Sequence, residues 1–120
     1  SNIATKIDGE VESGADVQGA VRIGAGSKVM ASCKLSGPLV IGVGCIIGPG
    51  AKVGTYSAIG DRCVISNADI ADSILVGDCV VTTPVPIRKS LIGASTRITA
   101  RGAGEAQAEL VLGENSVVVL

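Results

Sequence analysis

The chain has 120 residues, 47% of them apolar, with ten basic and eleven acidic side chains, one tyrosine and no histidine, tryptophan or phenylalanine. That length suits one domain with a modest core, and the net charge of -1 argues against an electrostatic partner. Basic residues adjoin only at Arg88-Lys89, so there is neither a basic stripe nor aromatic surface for stacking bases, and a nucleic-acid-binding role is not expected.

A core without large aromatics must be filled by Ile, Val and Leu in many small layers, and seventeen glycines point to repeated tight turns. Ser1-Asn2 reads as the remainder of a cleaved expression tag. The stretch from Ile3 enters without an amphipathic capping helix and carries the acidic group Asp8, Glu10, Glu12 and Asp16. Alternation of those acids with Ile7, Val11 and Val17 marks a solvated first face, in preference to a domain interface or a cation site. From Val11 the pattern is strict. Val11, Val17, Ile23, Val29, Leu35, Ile41, Ile47, Val53, Ile59 and Ile65 recur every six residues, a period that neither a 3.6-residue helix nor an isolated hairpin keeps.

Each six-residue unit predicts one short strand and a corner, so three units close a triangular coil of eighteen residues. Neighbouring coils would lie about 4.8 Å apart, with the aliphatic residues in three columns: Val11, Val29, Ile47, Ile65; Val17, Leu35, Val53; and Ile23, Ile41, Ile59. A small residue recurs four places after the aliphatic one, at Ala15, Ser27, Cys33, Cys45, Ala51, Ser57 and Cys63. The uncharged run between Lys34 and Lys52 holds five glycines and two prolines and keeps the six-residue phase, so it reads as buried strand and not as a membrane span. With no signal peptide visible, a cytoplasmic location is expected.

After Ile65 the phase slips, and Ile70, Val76, Val81, Ile87, Ile92 and Ile98 are read as the inward positions of coils with shortened corners. Residues 99–111 read as an irregular excursion before the pattern returns at Leu112 and Val118. No single coil buries its own column, so both ends need covering. A further domain over the first coil is therefore expected.

Cys45, Cys63 and Cys79 fall in one predicted column, with Cys33 on another side. Rungs about 4.8 Å apart suit neither tetrahedral zinc nor a relaxed disulfide, and Ser and Ala take the same place elsewhere, so these read as small buried thiols. Tyr56 either anchors a subunit contact or caps a corner.

The triangular hexapeptide coil resembles the left-handed parallel β-helix of the hexapeptide-repeat acyltransferase superfamily. In order, Ser36-Gly37-Pro38-Leu39-Val40-Ile41-Gly42, Val53-Gly54-Thr55-Tyr56-Ser57-Ala58-Ile59-Gly60, the run Ile65 to Val76 and Ser90-Leu91-Ile92-Gly93 resemble the C-terminal domain of long-form glucose-1-phosphate thymidylyltransferases, within the sugar-1-phosphate nucleotidylyltransferases. The resemblance covers about residues 7–98 and 112–118. It implies an all-β, left-handed parallel β-helix spanning 1–120, and a separate Rossmann-like catalytic domain, absent from this sequence, that would bind magnesium. It also implies homotrimers or pairs of trimers.

No catalytic, cofactor-binding or metal residues are assigned to this chain, and the fragment itself is not expected to catalyse nucleotidyl transfer. The alternative is a hexapeptide acyltransferase moving acetyl from acetyl coenzyme A to an amino sugar. That family's histidine base is missing here, so a carboxylate such as Asp69 or Asp72 would have to serve, although both read as solvated corner residues. A third role, effector binding at the junction with the missing enzyme, directs attention to Arg88-Lys89.

Overall fold

The computed structural model describes residues 5–102 and 106–120; the proposed tag at Ser1-Asn2 and the middle of the 99–111 excursion lie outside these. Among the described residues there is no helix, and nineteen short strands are wound into a parallel β-solenoid of three sheets. No helix long and apolar enough to cross a membrane is present among them.

Sheet A stacks β1 (Lys6–Ile7), β4 (Val21–Ile23), β7 (Leu39–Ile41), β10 (Ser57–Ile59), β13 (Ile74–Leu75), β16 (Leu91–Ile92) and β18 (Val111–Leu112). Sheet B stacks β2 (Glu10–Val11), β5 (Lys28–Val29), β8 (Ile46–Ile47), β11 (Val64–Ile65), β14 (Val80–Val81), β17 (Arg97–Thr99) and β19 (Val117–Val119). Sheet C stacks β3 (Asp16–Gln18), β6 (Lys34–Ser36), β9 (Lys52–Val53), β12 (Asp69–Ala71) and β15 (Ile87–Arg88). The chain visits A, B and C in turn, and each strand pairs with its counterparts in the neighbouring coils, the end strands of each sheet on one side only.

The register carries the core. On sheet B, Val11 lies beside Val29, then Ile47, Ile65, Val81, Ile98 and Val118. Sheet C aligns Val17, Leu35, Val53, Ile70 and Ile87, and sheet A aligns Ile7, Ile23, Ile41, Ile59, Leu75, Ile92 and Leu112. From Ile23 to Ile98 these side chains are buried, and side chains on the outermost coils pack against them half-covered. Alternation within each strand sends the preceding residue outward.

Two readings of the sequence change. Leu75, not Val76, points inward after Ile70: Leu75 is 1% exposed and Val76 55%. Both the corner before it and the one before Ile70 are short, and Val76 takes the place after the inward residue that Gly24, Gly42, Gly60 and Gly93 hold in other coils. Pairing also resumes earlier than Leu112, because Ala108 bridges to Ile87 and exchanges hydrogen bonds with Pro86 and Arg88.

Corners stack as regularly as strands. The N–H groups of Gly44, Arg62, Asp78, Ser95 and Asn115 donate across one coil to Val43's counterparts and to Val43 itself: Ala25, Val43, Asp61, Gly77 and Ala94 supply the carbonyls. All five donors have positive φ, so the four non-glycine residues there hold a left-handed turn that the coil above and below enforces. At Gly24 the constraint is steric, since a Cβ there would lie 2.6 Å from the carbonyl carbon of Gly42.

Replacing Leu75 with Ala should cost about 2–5 kcal/mol of unfolding free energy. Val76→Ala should stay within about 0.5 kcal/mol. Denaturant unfolding of the two variants checks which residue belongs to the core.

Candidate functional site

Because inward positions are alike on all three sheets, any difference in function must lie on the outward ones. On sheet C the outward column reads Asp16, Lys34, Lys52 and Asp69, followed across the strand by Gln18, Ser36 and Arg88. This face is polar. Sheet B presents Glu10 and Lys28, then Ile46, Val64 and Val80, then Arg97 and Val117. Sheet A presents Lys6 and Arg22, then five apolar rungs, Val40, Ala58, Ile74, Leu91 and Val111.

Four of those five are large and solvent-facing, from Val40 at 37% to Val111 at 82%. Exposed Val43 and Val76 lie on the corners joining sheets A and B, so apolar surface continues from one face round to the other. Single exposed aliphatics need no explanation, but a contiguous column does. The bordering corner between sheets C and A carries Tyr56, which is 73% exposed with φ of 59°. Its N–H donates to Pro38 at 2.7 Å, and its ring stands clear of the core.

The candidate carboxylates do not meet. Asp72 is an exposed corner residue. Asp69, expected at a solvated corner, sits in β12, half-buried, and accepts from Arg88 Nη2 at 2.9 Å while its carbonyl accepts from Arg88 Nη1 at 3.2 Å. The oxygen engaged by the guanidinium is not free to accept a proton from an amine. The same pair removes Arg88 from any free anion site with Lys89. In the first coils, Lys28 lies 3.6 Å from Glu10 and 3.8 Å from Glu12, and Lys6 lies 3.8 Å from Asp8. Glu12 also accepts from the Ala31 N–H, and Asp16 from Gln18. These are solvent-facing ion pairs that contribute little to stability.

The four cysteines are buried and free. Along the corner column between sheets A and B, Ser27 Oγ donates to the Gly42 carbonyl at 2.7 Å, Cys45 Sγ to Gly60 at 3.1 Å, Cys79 Sγ to Gly93 at 3.4 Å and Thr96 Oγ1 to Gly113 at 3.3 Å. Each small donor thus ties its coil to the next. Cys63 continues the column, and its neighbours are the thiols of Cys45 and Cys79. Those two thiols, with burial, push its own thiol up. Among the described residues no cluster of three or more His, Cys, Asp or Glu side chains is placed to hold a metal ion.

Arg62 and Asp78, on adjacent corners, form a two-bond pair at 2.8 and 3.1 Å. The guanidinium holds the Asp78 carboxyl below its usual range.

The outward apolar column on sheet A is the feature that sequence reading missed. Its signal was present one residue before each inward position, at Val40, Ala58, Ile74, Leu91 and Val111. Placing Val76 inward shifts Leu75 outward and hides Ile74, which breaks the column in the middle.

No family model matches the chain, and no curated protein does either.

Two measurements follow from this geometry. Arg62→Asn should raise the Asp78 titration midpoint, read by carboxyl NMR. The stability that this pair contributes is present above the ordinary carboxylate pKa and is lost as pH falls through the depressed one. All four thiols should resist an aromatic disulfide reagent in the native state and react only at the rate of unfolding; one fast thiol would contradict the buried column.

Proposed function

We propose that this chain is the assembly and regulatory module of a sugar-1-phosphate nucleotidylyltransferase of the glucose-1-phosphate thymidylyltransferase type, serving nucleotide-sugar biosynthesis in the cytoplasm. In this reading the solenoid is a left-handed β-helix with no catalysis of its own. Its work is to hold magnesium-dependent catalytic domains in a homo-oligomer, a trimer or a pair of trimers. The observation that carries the reading is the contrast between faces: five consecutive apolar rungs stand outward on sheet A and three consecutive ones on sheet B, against a polar sheet C. A rigid flat surface of that kind is stabilised by burial against another protein surface at about 25 cal/mol per Å².

The ordered corner segments quoted above support the parent enzyme. The acyltransferase alternative asks for a base, and Asp69 is engaged by Arg88.

Sedimentation equilibrium should give a mass that is a multiple of the 11.8 kDa chain. A monomer persisting at about millimolar concentration would remove the reading, since interfaces that weak fall below any specific assembly.

A further inference from the structure

We infer that sheet A is the contact surface of a two-fold pair of these chains, the two prisms lying antiparallel with the axis running along β10 at Ala58. This rests on the assembly reading in its pair-of-trimers form, where two-fold contacts join a chain of one trimer to a chain of the other, and adds to it the face and the symmetry of that contact. The outward column of sheet A has seven rungs in register: Lys6, Arg22, Val40, Ala58, Ile74, Leu91 and Val111. Its smallest side chain occupies the fourth, central place. A second copy turned over about that rung sets Ala58 on Ala58, where two faces can approach most closely, and Val40 on Ile74 to either side. Arg22 then lays its aliphatic stem on Leu91, and Lys6 reaches the last rung, whose flanks carry Glu109 and Glu114.

The competing two-fold arrangement keeps the prisms parallel. It places every rung against its own copy and therefore opposes Lys6 to Lys6 and Arg22 to Arg22. Like charges set directly against each other in a desolvated contact are unfavourable, so charge selects the antiparallel pair.

Size selects the register. The molecule measures 33 × 25 × 24 Å, so one face offers no more than about 800 Å², which is roughly what each partner of a stable interface buries. Sliding the copies by a rung or two forfeits area that the pair needs, and only alignment about Ala58 uses all seven rungs.

A rotation about the strand direction leaves each corner on its own side. Tyr56, on the corner leading into β10, is thereby brought beside Tyr56 of the second copy. Two aromatic groups with polar tips at the edge of the contact, level with its axis, are well suited to close that side of it.

The test uses the whole chain. Ile74→Glu, at a half-exposed outward position, should keep its circular dichroism and weaken self-association by about tenfold or more. Val40→Lys combined with Ile74→Glu should restore association, because the antiparallel pair sets residue 40 on residue 74 twice. Separately, Arg22→Cys and Leu91→Cys chains treated with a short bis-maleimide should cross-link when mixed and not when alone, since residue 22 faces residue 91 while the two copies of either lie four rungs, about 19 Å, apart; the four native thiols are buried. Cross-linking of Arg22→Cys to itself would overturn the antiparallel geometry. Association untouched by Ile74→Glu, with no mixed cross-link, would overturn the face while leaving assembly through another surface standing. A wild-type chain that stays monomeric removes both readings together.

Discussion

The structure depends on one constraint: a coil of three short strands has no interior of its own. Strands of two or three residues make too few hydrogen bonds and bury too little surface to persist alone, so each coil is stable only between two others. Register is the consequence. A shift of one residue in a strand such as Lys28-Val29 or Arg97-Ile98 would turn an aliphatic side chain out to water and bring its charged neighbour into the core. The columns of Ile, Val and Leu are therefore both the source of stability and the device that fixes how coils align.

Corners must then satisfy backbone groups without enlarging the coil. Two solutions recur along the prism. In one, a positive-φ residue hands its N–H to the corner beneath, as Arg62 does to Val43 and Asp78 to Asp61. In the other, a small hydroxyl stands in for a backbone acceptor: Ser57 accepts from the Ser73 N–H, Ser73 from Ser90, and Ser90 from Leu110. In a longer corner of the same edge, the Leu39 N–H goes to the Ala20 carbonyl. The serine ladder thus accompanies the shortened corners, where the chain has one residue fewer to supply that carbonyl. No buried side-chain nitrogen or oxygen among the described residues lacks a partner, which is how a core this thin tolerates so many polar atoms.

The same economy separates stability from function. Everything that turns inward serves stacking, the cysteines included, and the three sheets differ only in what they present outward. Sheet C meets water with lysines, aspartates and the Arg88–Asp69 pair. Sheets A and B present aliphatic rungs in contiguous columns, and the proposed assembly rests on these.

Periodicity alone determined the architecture, because a six-residue phase carried from Val11 to Ile65 leaves no other economical way to bury ten equivalent aliphatics. It also placed Cys45, Cys63 and Cys79 in one column, since residues one coil apart must stack. Three-dimensional structure decided what periodicity could not. When a corner loses a residue, the sequence offers Leu75 and Val76 as equally apolar candidates, and only the pairing of Ile59 with Leu75 and of Leu75 with Ile92 settles which turns inward. Ala108 re-enters the stack with no aliphatic signal at all, held by backbone bonds to Pro86 and Arg88. Asp69 and Arg88 meet because strands β12 and β15 are neighbours in space, a relation across nineteen residues that a short repeat does not encode. The outward face of sheet A became visible for the same reason: a surface is a property of register between coils, and register is set where corners change length.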